Sequence, residues 1–469
     1  MSLARTSSRT GPAARSRLII KNGHLVTLDD TLGDLPATDL LVTDGTITAV
    51  GRGLDAEDAE VLDATGMVVL PGLVDSHRHL WQSGIGGSAA HLSLTGYVDV
   101  VLGGFLPAYQ PEDVYAGVLW GALQALNAGI TTVADWSHIT TTPDHADENV
   151  RALRDSGVRA VFLYGPPIGQ GARKWVVESS EPHPDDARRM RAEHFASATG
   201  ELVTMGLALR GPEFSTPDTT AHDFALARDL DLPVSLHSGL PGYLPRYRTI
   251  DVLDERGLLG PTVHHAHGTA FTDHDLKRIA ATGGSITPCP SIDMLMALGA
   301  HPVTGRALAQ GLLPALGTDS VTGAGTDLFS EMRLALAAER SRANADAVAR
   351  HEPPAHVELD HRDVLRLATV AGARAWHLED RIGTLTPGKR ADVVVIDTRA
   401  PHFTPLGDPV TSVVLNAGPS DVHTVLVDGR VVKRDGRLTG SVVRLGRELL
   451  TAALDRLVER FPRPRRGEG

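Results

Sequence analysis

The sequence predicts an α/β protein: a (β/α)8 TIM-like barrel with a small β-sandwich formed from both chain ends. Three observations lead to this fold class. β-type and helical segments alternate through the middle of the chain, β-rich segments recur at both ends, and histidines and acids follow several central strands. Alternation of strands and helices is typical of a parallel sheet with helical crossovers. The 469 residues are enough for a large barrel and a smaller module.

The two ends of the chain share a β-rich character. Short apolar, β-branched segments are separated by Asn-Gly and Asp-Gly turn signals at 18–24, 39–42, 46–50, 392–396, 410–414 and 423–432. The first 16 residues are rich in Arg and Ser and lack the apolar region of a signal peptide. We therefore predict a disordered tail (1–16), a composite β-sandwich (17–69 and 383–448), a hydrolase barrel (70–382), and a C-terminal helix and tail (449–469).

The middle of the chain contains the strands and helices of the predicted barrel. Eight apolar β-type runs lie at 68–74, 130–134, 160–164, 203–209, 233–236, 261–263, 284–287 and 314–317. Helical stretches separate many of them, at 111–127, 146–154, 224–230, 273–281 and 327–345. A doubly wound open sheet is the alternative, but no glycine-rich dinucleotide fingerprint follows the first strand.

Composition restricts the partners of the protein. The net charge of −12 argues against non-specific nucleic-acid binding. No apolar run approaches the roughly 18 residues of a membrane span. Cys289 is the single cysteine, so the chain cannot form an internal disulfide, which fits a reducing compartment. We predict a soluble, cytoplasmic protein that acts on a small molecule and binds neither nucleic acid nor membrane.

Metal-binding side chains follow the predicted strands at their carboxyl ends. His77 and His79 follow the first strand, His237 the fifth, His267 the sixth and Asp319 the eighth. The carboxyl ends of barrel strands form one face, and two residues at i and i+2 of a strand point to one side. A lone histidine at a strand end is commonly a hydrogen-bonded structural residue. Several imidazoles and a carboxylate at one mouth indicate a site for zinc, iron, manganese or cobalt.

The chain resembles the amidohydrolase superfamily, in the branch of cytosine deaminase, guanine deaminase and triazine hydrolases. The segments that carry the resemblance are Pro71-Gly-Leu-Val-Asp-Ser-His-Arg-His, Ala128-Gly-Ile-Thr-Thr-Val, His267-Gly, Leu316-Gly-Thr-Asp-Ser and Gly383-Thr-Leu-Thr-Pro-Gly-Lys-Arg-Ala-Asp. They span nearly the whole chain in order. The resemblance implies a (β/α)8 barrel beside a β-sandwich from both termini, and a homodimer or homotetramer.

The same resemblance implies a ligand set and a reaction. His77, His79, His237 and Asp319 would bind one metal, and His267 would face the attacking water or the substrate. Asp319 would accept the water's proton, and metal-activated hydroxide would attack a C–N bond of a small cyclic or heteroaromatic molecule. His267 would stabilise the charge that develops. The expected activity is that of a deaminase-like hydrolase.

The metal count follows from the fourth strand. Binuclear relatives carry a carboxylated lysine at its end, whereas the stretch 205–214 contains none. Arg210 cannot substitute, because a guanidinium stays charged. We predict one divalent metal ion per chain, zinc as the first choice.

One position departs from the pattern of the deaminases. They usually carry a glutamate three residues after the strand-5 histidine, and this chain has Leu240 there. Glu213 or His138 is a candidate to replace that acid, although each also reads as a loop-stabilising residue; Asp319 alone is the third option. The departure favours, as alternatives, a different leaving group or ring opening of a cyclic amide. A barrel that binds a ligand without turnover is the remote alternative.

Candidate substrate contacts are apolar or polar side chains near the predicted strand ends. They are Trp81, Gln82, Trp136, Tyr164 and His265. Packing at the top of the barrel is the other interpretation of the aromatic residues, and a structural role is the other interpretation of His265. A catalytic role for Cys289 is disfavoured, because the hydroxide already provides the nucleophile.

Overall fold

The computed structural model describes six stretches of the chain. They are residues 17–166, 178–196, 200–241, 247–299, 301–353 and 359–461. The predicted disordered tail at 1–16 lies outside the described residues, as do residues 462–469 of the predicted C-terminal tail.

Within these stretches, strands form two separate sheets. One sheet contains β1 to β5 and β13 to β16, and the other contains β6 to β12. Their bounds are β1 Arg17–Val26, β2 Asp34–Thr43, β3 Thr46–Gly51, β4 Glu60–Asp63, β5 Met67–Pro71, β6 Leu73–Arg78, β7 Ile130–Ser137, β8 Arg159–Tyr164, β9 Val203–Leu209, β10 Val234–Ser238, β11 Val263–His267, β12 Ser285–Thr287, β13 Val393–Asp397, β14 Val422–Val427, β15 Arg430–Arg434 and β16 Arg437–Leu438.

Helices connect the barrel strands and extend the chain beyond them. Their bounds are α1 Leu94–Tyr97, α2 Pro111–Asn127, α3 Pro143–Ser156, α4 Asp186–Glu193, α5 Pro217–Leu230, α6 Thr249–Glu255, α7 Asp273–Thr282, α8 Pro290–Leu295, α9 Thr304–Ala309, α10 Leu328–Ala349, α11 His361–Arg366, α12 Gly372–Ala375, α13 Pro409–Asn416 and α14 Val442–Arg460. A membrane-spanning helix, which must be both long and apolar, is absent from the described part of the chain.

The second sheet is a nearly closed parallel barrel. Strands β6 to β12 lie side by side in chain order. The eighth predicted strand is not regular, but its backbone bonds on both sides: Ala315 N–H donates to Ile286 O at 2.9 Å, and Ser76 N–H donates to Leu316 O at 3.0 Å. This segment therefore closes the barrel between β12 and β6, and it carries Asp319 to the same rim as the histidines.

The first predicted strand, at 68–74, divides at Gly72 into β5 and β6, which belong to different sheets. The crossing is tight, because a Cβ on Gly72 would lie 2.1 Å from Oγ1 of Thr131. Gly72 N–H donates to Asp392 O at 2.8 Å, beside the start of β13. The metal-binding segment therefore begins directly at the joint between the two sheets.

The first sheet is built from both chain ends, as the sequence predicts. Strand β5 pairs with β13 antiparallel and with β1 parallel, so the N-terminal and C-terminal strands are continuous. Side chains of both halves share one core, which includes Ile20, Ile47, Val69, Val393 and Leu426.

One of the predicted C-terminal β-segments, at 410–414, was wrong, because it lies in helix α13. The β-branched residues favour a strand, but Asp408 caps the helix by accepting from Thr411 N–H at 2.7 Å. Pro409 occupies the first helical position, where its missing N–H costs nothing. The local start signal therefore outweighs the strand propensity of the valines.

Candidate active site

Four side chains that can bind a metal converge at the carboxyl ends of the barrel strands. Suitable atoms of His77, His237, His267 and Asp319 all lie within 4.8 Å of one another. Nε2 of His79 lies 3.2 Å from Oδ1 of Asp319, and Nε2 of His77 lies 3.4 Å from the same oxygen. The structure thus brings together all four predicted ligands and His267, which the sequence placed beside the metal.

The protonation of this cluster suits metal binding. Burial lowers the pKa of His77 to about 4 and that of His237 well below its usual value. Burial would raise the pKa of Asp319, but the imidazoles of His77 and His79 beside its carboxylate outweigh burial and hold the pKa well below its usual value. Neutral imidazoles and an ionised carboxylate are the forms that bind a divalent cation.

Two buried nitrogen atoms without hydrogen-bond partners also indicate a metal site. Both Nδ1 and Nε2 of His77 are buried without a hydrogen-bond partner among the described residues. An unpaired buried polar atom is costly, so it indicates a missing partner. Nδ1 of His79 is engaged differently: it lies 2.6 Å from the carbonyl oxygen of Trp136, which orients its Nε2 towards Asp319. The residues present fit a mononuclear cation of the zinc type.

His267 differs from the other histidines of the cluster. Its Nδ1 lies 2.8 Å from Oδ1 of Asp293, a carboxylate that is itself buried. Burial opposes protonation of His267, but the bond to Asp293 outweighs it and raises the pKa. Asp293 also accepts from Cys289 N–H at 3.1 Å, which fixes the carboxylate. The pair therefore orients Nε2 of His267 towards Asp319, 4.0 Å away.

Strained backbone positions two of these residues. His267 has φ of 71° and Asp319 has φ of 55°, in the left-handed region that non-glycine residues rarely adopt. Each lies where its barrel segment ends, so the unusual φ turns the side chain into the mouth. His265 precedes the turn and lies differently, with Nδ1 2.9 Å from Oγ of Ser238 and its ring against Phe271.

A pocket of about 640 Å³, including its open mouth, lies above the cluster. Its polar lining residues gather near the candidate metal ligands, whereas most of the remaining wall is apolar. The lining consists of His79, Leu94, Tyr97, Val98, Leu102, His138, Phe214, His237, Leu240, His267, Met296, Leu298, Asp319 and Ser320. The pocket therefore combines a cation-binding floor with a wall suited to an apolar group.

The five predicted substrate contacts are not among these lining residues, and their role in substrate binding stays a prediction. They are Trp81, Gln82, Trp136, Tyr164 and His265. All five are buried and engaged with protein groups. The ring of Trp81 packs on Tyr109, with centroids 5.0 Å apart, and Trp136 packs on His237 at 4.2 Å. The Tyr164 hydroxyl donates to Asp186 at 3.2 Å.

Glu213, a candidate for the missing acid, supports the loop after β10. Its carboxylate accepts from Gly239 N–H at 2.6 Å, from Leu240 N–H at 3.1 Å and from the Thr249 hydroxyl at 2.7 Å. Burial raises its pKa to about 7, although these bonds partly oppose the shift. Glu213 is buried and is not among the pocket-lining residues, whereas its neighbour Phe214 is.

His138, the other candidate, does line the pocket. Its Nδ1 lies 3.3 Å from the carbonyl oxygen of Trp136, and its ring centroid lies 4.3 Å from that of His79. Burial, together with nearby His79, lowers its pKa well below the usual value. The imidazole is therefore neutral and offers a lone pair to the pocket, and its lowered pKa makes it a weak base. By contrast, burial raises the pKa of the Cys289 thiol well above its usual value, which disfavours a thiolate.

The match to a known family spans the barrel and part of the first sheet. Residues 68–432 match the model of the Amidohydrolase family. A 5'-deoxyadenosine deaminase of Methanosarcina mazei is 31% identical over 435 residues, which cover 90% of this chain and 94% of that enzyme. The chain belongs to the amidohydrolase family. A 5-methylthioadenosine/S-adenosylhomocysteine deaminase of Pyrococcus furiosus is 27% identical and covers 95% of this chain, with 99% of its own length matched.

Solved structures share the architecture. An adenosine deaminase of Xanthomonas campestris with bound zinc has a TM-score of 0.80 at 24% identity, covering 95% of this chain and 99% of that one. An atrazine chlorohydrolase of Arthrobacter aurescens, complexed with zinc, has a TM-score of 0.81 at 22% identity, covering 93% and 100%. The predicted fold class is therefore confirmed.

Membership in the family confirms the predicted reaction class. The protein is a metal-dependent hydrolase that attacks carbon–nitrogen bonds of small cyclic or heteroaromatic molecules, and its cofactor is a divalent metal ion. Sequence reasoning missed Asp293 and Tyr97, and it missed the apolar wall. The spacing of Leu94, Val98 and Leu102, every fourth residue, was the available signal for one helical face of that wall.

Proposed function

We propose that the protein is a mononuclear, zinc-dependent deaminase that removes an amino group from a nitrogen heteroaromatic ring with an apolar substituent. The observation that carries the proposal is the cluster of His77, His237, His267 and Asp319 at the floor of a pocket with apolar walls. Three predicted histidine ligands and one carboxylate are donor types that zinc binds in proteins. The deaminase names of its curated relatives support the leaving group.

The residues of the site have different roles in the proposed reaction. A divalent ion, when bound, makes water a nucleophile near neutral pH. His77, His79, His237 and Asp319 would hold the ion, and the ionised carboxylate of Asp319 would accept the proton of the attacking water. His267, oriented by Asp293, donates a hydrogen bond to the atom at which negative charge develops. His138 takes the place of the missing glutamate and moves a proton at the ring or the leaving nitrogen.

The geometry favours His138 over Glu213 for this last role. His138 lines the pocket, whereas the carboxylate of Glu213 is engaged with two backbone N–H groups and a hydroxyl. A proton-transfer group must lie within hydrogen-bond reach of its partner, directly or through one water. Glu213 therefore suits its alternative role, the stabilisation of the loop that carries Leu240.

Leu240 itself favours a second candidate function. An apolar side chain that lines the pocket at the usual glutamate position cannot protonate a poor leaving group such as an amine. A substrate with a better leaving group, or a cyclic amide that opens, needs less assistance. Hydrolysis of such a bond uses the same ion-binding residues and the same Asp319.

The test is turnover by the zinc-loaded protein against purines, pyrimidines, triazines and cyclic amides, with ammonia release and mass change recorded together. Ammonia with a one-for-one replacement of NH by O supports the deaminase. A mass change without ammonia supports the second function instead. Binding with no change of any substrate would leave only a ligand-binding barrel.

The metal content of the protein is the second measurement, made alongside turnover. We expect near one zinc per chain in the natural protein and loss of both zinc and turnover in His77→Ala. His222→Asn is the control, because the His222 side chain is 56% exposed on the outer helix α5 and should retain zinc and activity. Two ions per chain would contradict the mononuclear site.

We also propose a homodimer or homotetramer that works in the cytoplasm, in keeping with the family resemblance and the single cysteine. Light scattering of the purified protein tests the assembly. A monomer at micromolar concentration would contradict it.

A further inference from the structure

A chain of buried hydrogen bonds leads from the metal side of the pocket to the hydroxyl of Tyr97. Nε2 of Gln82 donates to the Tyr97 oxygen at 2.6 Å. Oε1 of Gln82 accepts from the hydroxyl of Ser320, the residue next to Asp319. Thr322 N–H donates to the Ser320 oxygen at 3.2 Å. Gln82, a predicted substrate contact, holds the Tyr97 hydroxyl through this hydrogen bond.

This arrangement leaves the hydroxyl proton of Tyr97 available. The Tyr97 oxygen already accepts from Gln82, so its own O–H has to point elsewhere. Tyr97 lines the pocket. Burial, with the negative charge of Asp319 nearby, raises the pKa of Tyr97, so the phenol keeps its proton.

Tyr97 is also set apart by its surroundings. On helix α1 and the π-helix Val98–Phe105 that follows it, the lining residues Leu94, Val98 and Leu102 are apolar. Apart from the imidazoles and Asp319, the polar lining side chains among the described residues are Tyr97 and Ser320. The Ser320 hydroxyl is engaged with Gln82 and Thr322. Tyr97 is therefore the polar group of the wall that has a proton to offer.

We infer that Tyr97 is a specificity-determining residue, whose hydroxyl donates a hydrogen bond to an acceptor nitrogen or oxygen of the substrate ring. Gln82 and Ser320 act as positioning residues that hold the hydroxyl in place. A substrate that lacks the acceptor leaves the donor unpaired in an apolar wall, and such unpaired groups give strong discrimination between similar substrates. This inference rests on the proposed function, since it concerns the ring that the same site binds.

Tyr97→Phe tests the inference with matched ring pairs. The best substrate of the panel is compared with analogues in which each ring acceptor in turn is replaced by C–H. We expect the natural protein to prefer one acceptor-bearing ring by about tenfold to about a hundredfold in kcat/KM. Tyr97→Phe should reduce that preference to about threefold or less with zinc retained, by weakening activity on the acceptor-bearing ring and raising it on the acceptor-free ring, whose unpaired donor is removed. Binding of the unreactive product, measured by calorimetry, should show the same loss of preference.

Tyr109→Phe is the control. Tyr109 is a buried tyrosine whose hydroxyl donates to the carbonyl oxygen of Trp81 at 3.2 Å and which does not line the pocket. It should leave the preference intact. Gln82→Met should weaken the preference in the same direction as Tyr97→Phe, because it frees the hydroxyl to rotate.

The outcomes separate this inference from the proposed function. If the zinc-loaded natural protein turns over no ring of the panel, the proposed function fails. If it turns over a ring and Tyr97→Phe retains the full preference between the paired rings, only the role of Tyr97 is overturned. An equal loss on both rings of a pair would show a merely structural role for Tyr97 and would also overturn the inference.

Discussion

The carboxylate of Glu213 accepts a hydrogen bond from the backbone N–H of Leu240 at 3.1 Å. Leu240 stands where deaminases of this branch carry a glutamate side chain. An acid is therefore present beside this position, but it holds the backbone instead of facing the pocket. The same carboxylate also holds Gly239, two residues after His237.

This relationship separates the roles of Glu213 and His138. Glu213→Gln replaces one acceptor oxygen with an NH2 group that faces a backbone N–H. We expect a loss of about 1–3 kcal/mol in the free energy of unfolding, and a smaller loss of kcat at a temperature where the variant is folded. His138→Asn should lower kcat by about a hundredfold or more with zinc retained. Denaturant unfolding and steady-state kinetics on both variants decide the matter, and a hundredfold loss of kcat in a fully stable Glu213→Gln would reverse the assignment.

Asp293 orients His267 through a bond of 2.8 Å to its Nδ1. Asp293→Asn keeps the shape but offers an amide in place of a carboxylate. The imidazole then loses its charged partner and its fixed tautomer, as in other pairs of an acid and a histidine. We expect kcat to fall by about tenfold to a hundredfold, with the zinc content near the natural value. Unchanged kinetics would show that His267 needs no orienting group.

Glu331 predicts a pH dependence of stability that is separate from catalysis. It accepts from Ser291 N–H at 2.9 Å inside the protein, and burial raises its pKa from 4.5 to about 8. Between pH 4.5 and about pH 8, Glu331 is therefore protonated in the folded protein and ionised in the unfolded chain. The contribution of Glu331 to stability is full at low pH and declines as the pH rises through this window.

The matched variant is Glu331→Gln, which cannot ionise. Between about pH 5 and about pH 8, the natural protein should lose about 3–4 kcal/mol of unfolding free energy relative to Glu331→Gln. Urea unfolding of both proteins across this range measures the difference. A constant difference between the two curves would contradict the raised pKa.

Arg159, at the start of barrel strand β8, joins the barrel to the first sheet, which is built from both chain ends. Its Nε and one terminal nitrogen donate to the two oxygens of Asp392 at 3.0 and 2.9 Å, and Asp428 accepts at 3.1 Å. Arg159→Met leaves Asp392 buried without its cation, which typically costs about 3–5 kcal/mol. Arg188→Met is the control, because its bond to Asp229 is exposed and should contribute less than about 1 kcal/mol. Equal stability of the two variants would show that the buried pair of Arg159 and Asp392 does not stabilise the contact between the barrel and the first sheet.

The sequence predicted the parts of the site that depend on strand ends. His77, His79, His237, His267 and Asp319 could be found because a parallel barrel collects the carboxyl ends of its strands at one face. The roles of Glu213 and His138 could not be assigned, because both follow a strand. Only the tertiary structure distinguishes their roles. The carboxylate of Glu213 is engaged in hydrogen bonds to the backbone, whereas His138 lines the pocket.

The five predicted substrate contacts do not line the pocket, for a related reason, and their contact with substrate stays a prediction. Trp81 and Trp136 lie close to the ligands along the chain, but large aromatic side chains gain more by packing in the core than by facing the pocket. Tyr97, 18 positions after His79 in the chain, reaches the pocket from a separate helix. Distance along the chain does not decide which side chains meet at a barrel mouth.

The sequence by itself determined the fold class, the family and the candidate ligands, because alternation of strands and helices and the order of the histidines are properties of the chain. Tertiary structure alone decided which side chains face the pocket. His265 and His267 are two residues apart, yet the left-handed φ of 71° at His267 turns one into the site while the other stays on Ser238. Such a turn depends on backbone packing around the rim, which a pattern of residue types does not record.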